Sequence, residues 1–133
     1  MSDLYQEMIM EEYRHPQHKG ELVDPDFSWH ERNSSCGDEV TVYLKLDPKH
    51  QQIADISWTG DGCAISMAAM SFVSQQVMGK SVAEVLKLNK KDLEKMMGIE
   101  EIAYGREKCL VLGLEAVQKS LKQKVAHDQS DNS

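Results

Sequence analysis

The chain has 133 residues, a formal net charge of −7 and a pI near 5.2. That length suits one hydrophobic core, and the acidic balance with scattered Lys and Arg argues against a partner with a phosphate backbone. The N-terminal apolar stretch is broken by Glu7, Glu11 and Glu12, and no apolar run approaches a bilayer span, so a cytoplasmic, reducing setting with free thiols is expected.

Leu4, Tyr5, Met8, Ile9 and Tyr13 recur at helical spacing and predict an amphipathic helix that stops before His15-Pro16. A turn-rich connector follows through Gly20, Asp24 and Pro25. Phe27 and Trp29 alternate with Ser28 and His30, a strand pattern ending at Asn33-Ser34-Ser35. Glu39 to Leu46 has period two, with Val40, Val42, Leu44 and Leu46 on one side. After the break at Asp47-Pro48-Lys49-His50, Ala54, Ile56 and Trp58 alternate with Asp55 and Ser57, which predicts a third strand in an antiparallel meander.

Beyond Gly62 the period becomes helical. Ala64 to Met78 forms one helix stopped by Gly79. Ser81 with Glu84 reads as a capping box for a short helix through Leu88, and Asn89 with Asp92 opens another through Met97. The last helix begins near Cys109 and carries Leu110, Leu114, Val117 and Leu121 on one stripe. Residues 1–126 are expected to form a single domain, with 127–133 a disordered polar tail. Strands first and helices afterwards give an α+β class: a small three-stranded antiparallel sheet with helices on one face.

The three cysteines stand in glycine-rich or charged settings: Ser35-Cys36-Gly37-Asp38, Gly60-Asp61-Gly62-Cys63 and Arg106-Glu107-Lys108-Cys109. An odd count with wide, unequal spacing makes a poor disulfide framework, whereas three thiolates and one carboxylate make a four-ligand set for a thiophilic metal. Cys36 falls in the loop between the first two strands. Cys63 and Cys109 fall at or beside helix N-termini, where backbone N–H groups favour thiolate, and Lys108 and Arg106 add positive charge near Cys109. Gly37 and Gly62 suit backbone bends that let the loops converge, and Asp38 lies close enough to Cys36 to serve the same ion. The methionines (Met67, Met70, Met78, Met96, Met97) read as core packing, as do Trp29 and Trp58; His15 and His18 read as structural or partner-facing.

Cys-Gly-Asp early, Gly-Asp-Gly-Cys in the middle and Lys-Cys before the final helix, with Tyr13-Arg14-His15-Pro16 and Gly20, resemble the NifU N-terminal family, which includes IscU and SufU. The resemblance implies a SufE/NifU-like, IscU-like fold. It implies a protein that accepts sulfur from a cysteine desulfurase (SufS/IscS-like) and either relays it or builds a [2Fe-2S] cluster for downstream carriers or apo-proteins. By position it assigns Cys36, Asp38, Cys63 and Cys109 as ligands of Zn²⁺ or of iron in a cluster.

Three departures bear on subtype. Lys108 stands where IscU-type scaffolds have histidine, a SufU-like choice, yet the segment inserted between the second and third cysteines of SufU-type proteins is missing. Ile102-Ala103-Tyr104-Gly105 also stands where IscU-like chains carry Leu-Pro-Pro-Val-Lys. SufU-like behaviour makes Cys36 the sulfur acceptor; IscU-like behaviour makes it Cys109. A zinc-dependent sulfurtransferase-like acceptor and a non-enzymatic scaffold, with Asp38 as the hard, weakly held ligand, both remain open, as does a structural zinc-binding interaction module without sulfur transfer. A free-standing thiol enzyme using Cys109 lacks an adjacent general base.

Overall fold

The computed structural model describes residues 3–33, 37–98 and 107–131. Its elements follow the order α1 (Asp3–Arg14), β1 (Phe27–Asn33), β2 (Asp38–Leu46), β3 (Ile53–Asp61), α2 (Ala64–Val77), α3 (Val82–Leu86), α4 (Lys90–Met97) and α5 (Glu107–Asp131). The strands form an antiparallel meander in the order β1-β2-β3, with Trp29 opposite Val42 and Val42 opposite Trp58. This is the α+β arrangement the sequence predicts.

Strict alternation fixes which face of the sheet is dry. Val40, Val42 and Leu44 on β2 are fully buried with Leu46 beside them, while Thr41, Tyr43 and Lys45 on the opposite face are half-buried. α5 covers β1 and β2, α2 covers β3, α1 packs on α2, and α3 and α4 pack on α5. Trp58 is fully buried at the centre, and Trp29 is only partly buried, its indole N–H donating to Glu31 Oε2 at 3.2 Å.

β3 corrects one detail of the expected alternation. A register shift at Lys45/Leu46 pairs Leu46 with Ile53, so Ile53 enters the core and Ala54 is exposed, although Ala54 shares the parity of Ile56 and Trp58. An extra residue in one strand reverses the side-chain facing beyond it. The connector before β1 closes the free edge of β3: Trp58 N–H donates to His18 O at 3.1 Å and Gly20 N–H to Trp58 O at 2.7 Å. His18 thus serves through its backbone, and its own φ is +61°.

The helices follow their local signals, with some differences. Both capping boxes form, Ser81 with Glu84 and Asn89 with Asp92, and Gly98 ends α4 in the left-handed conformation that glycine adopts without strain. Leu110, Leu114, Val117 and Leu121 are all buried. Tyr13 leaves the α1 stripe and is exposed, because the face turned to α2 runs through Ile9 to Glu12, which accepts from the Ser71 hydroxyl and from Gln75 Nε2. Met78 is likewise exposed, as the C-cap of α2, whereas Met67, Met70 and Met97 lie in the core. α5 continues as helix to Asp131, beyond His127 where the sequence reading begins a disordered tail. Lys119 on α5 reaches Glu31 on β1 at 2.6 Å, and the hydrogen bond to that carboxylate holds the ammonium above its ordinary value.

Candidate metal centre

Three elements deliver the site. Asp38 is the first residue of β2 and continues the inward row of Val40, Val42 and Leu44, which carries its carboxylate to the dry face at 4% exposure. Cys63 follows β3 after Gly62 and is the N-cap of α2, its sulfur accepting from the backbone N–H of Ser66 at 3.4 Å. Cys109 is the third residue of α5 and is buried at 3% exposure, while Cys63 is partly exposed.

One ligand atom from each of Asp38, Cys63 and Cys109 lies within 4.8 Å of the others. Two thiolates sharing a tetrahedral zinc stand about 3.8 Å apart, so the cluster is near coordination size. Ionised together, three such groups repel by on the order of 3 kcal/mol per pair at an effective dielectric near 20. A divalent cation reverses that sign, and the soft sulfur donors select a thiophilic one. The donor set therefore fits zinc or iron.

The carboxylate is fixed at both oxygens. Cys63 N–H donates to Asp38 Oδ1 at 3.2 Å and the Ser66 hydroxyl to Oδ2 at 2.5 Å. Gly62 has a role other than the expected bend. Its φ is not positive, and a Cβ there would stand 2.8 Å from the Asp38 carboxyl carbon, so glycine is present to let the carboxylate approach. Gly37 does supply a turn, with φ +75° and an N–H donating to Asn33 O at 2.9 Å across the β1–β2 connection.

Of the residues singled out by sequence, the fold thus brings together Asp38, Cys63 and Cys109. Lys108 is exposed beside Cys109. Cys36 and Arg106, and the segment Ile102 to Gly105, lie outside the described residues. His15 and His18 are exposed and belong to no ligand cluster among the described residues. Ser66 was not singled out as a site residue. Its signal was the spacing Cys63-Ala64-Ile65-Ser66, that of a helix cap and the third residue after it.

A small α+β fold with two thiols and a carboxylate gathered at one end defines the class, and the chain belongs to the NifU-like N-terminal domain family, whose model matches residues 4–130. It is similar to the zinc-dependent sulfurtransferase SufU of Bacillus subtilis (strain 168), with 29% identity covering 91% of each chain. It is similar also to the iron-sulfur cluster assembly scaffold protein IscU of Thermotoga maritima, with 29% identity over 90% of this chain and 93% of that one. Among solved structures, FiSufU from thermophilic Fervidobacterium islandicum AW-1 superposes with a TM-score of 0.73 at 25% identity, covering 91% of this chain and 99% of that chain. The N-terminal part of a NifU-like protein from Brucella abortus shares the fold, with a TM-score of 0.75 at 23% identity over 91% and 94% of the two chains.

Proposed function

We propose that this protein works in iron-sulfur cluster assembly, receiving sulfur from a cysteine desulfurase on a site formed by Cys36, Asp38, Cys63 and Cys109, with zinc as the resident metal. The observation that carries the proposal is the convergence of Asp38, Cys63 and Cys109 within 4.8 Å from three separate elements. Similarity to a zinc-dependent sulfurtransferase supports the choice of zinc, as does Lys108, since a lysine ammonium has no lone pair to offer in place of an imidazole. Zinc bound there would keep thiols deprotonated without redox chemistry of its own.

The chain's own residues divide the work. Asp38, Cys63 and Cys109 are held by β2, α2 and α5, and Cys109 is too buried to meet a bulky donor. Cys36 belongs to the connection between β1 and β2, two residues before Asp38, so covalent reach keeps its Cα within about 7 Å of that residue. Of the three thiols, Cys36 is the one we assign as sulfur acceptor, in keeping with the similarity to SufU. Its thiolate attacks the outer sulfur of the desulfurase persulfide; the new S–S bond forms as the old one breaks, and the desulfurase cysteine departs as thiolate. Downstream carriers or apo-proteins are the recipients, and the same ligands offer a place where a [2Fe-2S] cluster could be built as cargo. Among the described residues no helix is long and apolar enough to cross a membrane.

The test is mass spectrometry after incubation with a cysteine desulfurase and cysteine. A gain of about 32 Da, one sulfur atom, is expected on Cys36 and is expected to vanish in Cys36→Ser. A gain mapped to Cys109 reassigns the acceptor. Sulfur on no cysteine would leave a structural zinc module and overturn the proposal.

A further inference from the structure

We propose that Ser66 is a positioning residue of this centre: its hydroxyl fixes the Asp38 carboxylate against the two sulfurs and so sets how well that carboxylate serves as a ligand. The inference rests on the reading that the site holds a thiophilic metal.

Ser66 is fully buried in the first turn of α2, and its hydroxyl crosses to another element, reaching Asp38 Oδ2 at 2.5 Å. Ser66 is the third residue of α2, so no earlier helical turn offers its hydroxyl a carbonyl. An ionised carboxylate can only accept, so the single hydroxyl proton goes to Asp38. The Ser66 oxygen then faces Cys63 Sγ at 3.4 Å, and the Ser66 N–H also points at that sulfur. One residue thereby touches two members of the ligand set.

Rotation of a free Asp carboxyl about its last bond is soft. Here Cys63 N–H holds Oδ1 and Ser66 holds Oδ2, and two bonds to different oxygens fix the carboxylate plane. Without the hydroxyl the carboxylate loses this bond at Oδ2 and is less tightly oriented. Gly62 provides the space for this arrangement, and Ser66 provides the direction.

The test is a zinc titration against a chromophoric chelator for the full chain and for Ser66→Ala, Asp38→Ala and the double variant, with thermal melts of each apo form. Ser66→Ala is expected to weaken zinc binding about tenfold, the scale of one hydrogen bond to a charged group. In the Asp38→Ala background the same change is expected to shift affinity by less than about twofold. The visible spectrum of the cobalt-loaded Ser66→Ala form is expected to move toward that of Asp38→Ala. Wild-type affinity in Ser66→Ala, or an equal loss in both backgrounds, would overturn the role. A Ser66→Ala chain that folds only when Asp38 is also Ala supports it, whereas unfolding in both backgrounds counts against it. Wild-type affinity in Asp38→Ala refutes the ligand set itself, and that result is separable because it does not involve Ser66.

Discussion

At the residue scale the site depends on how closely a buried carboxylate can be approached. Gly62 adjoins Asp38, and any side chain there meets the carboxyl carbon at 2.8 Å and Oδ1 at 2.9 Å. Gly62→Ala is therefore expected to displace the carboxylate, lowering stability by about 1–3 kcal/mol as overpacking does and weakening zinc affinity about tenfold. Chelator competition and a melt of the apo form check both; zinc affinity equal to wild type would detach Asp38 from the site. The cysteines were legible because their neighbours are glycines and charges in place of core residues. Gly62 was legible as special but for the wrong reason, since a close approach across 24 residues of sequence leaves the same glycine in the chain as a bend does. Ser66 was not legible as a partner of Asp38, because a serine in a helical pattern carries no sign of the element it will face.

At the element scale the separation between α2 and α5 sets the distance between Cys63, the N-cap of α2, and Cys109 in the first turn of α5. Gly113 in the body of α5 lies against Met70 of α2, where a Cβ would stand 3.0 Å from the Met70 Cα and 2.8 Å from its Sδ. The thioether can swing aside; the backbone carbon cannot. Gly113→Ala gains up to about 1 kcal/mol of helix propensity and forces the helices apart, a strain of about 1–3 kcal/mol, so a net loss of about 1 kcal/mol is expected. A denaturant titration measures it, and a stabilised variant would show that the helix pair has slack. Periodicity exposed the helices and strands themselves, and Ser81-Glu84 and Asn89-Asp92 marked their starts. The bulge at Lys45/Leu46 and the close helix crossing at Gly113 were hidden, since both arise from pairing partners distant in sequence.

At the scale of the whole molecule the fold is a device for convergence. The start of β2, the β3–α2 corner and the start of α5 meet at one end, while the core of Trp58, Val42, Met70 and Leu114 fixes the elements behind them. Folding thus gathers donors that the extended chain disperses from residue 38 to residue 109. The fold class followed from the switch of period at Gly62, and the resemblance to the family was carried by the three cysteine motifs together with Tyr13-Arg14-His15-Pro16 and Gly20. Which donors share an ion is a three-dimensional fact. It is tested most directly by zinc-edge X-ray absorption on the zinc-loaded protein: three sulfurs at about 2.3 Å and one oxygen at about 2.0 Å are predicted, without imidazole outer-shell scattering. Two or fewer sulfurs, or an imidazole signature, would contradict the account.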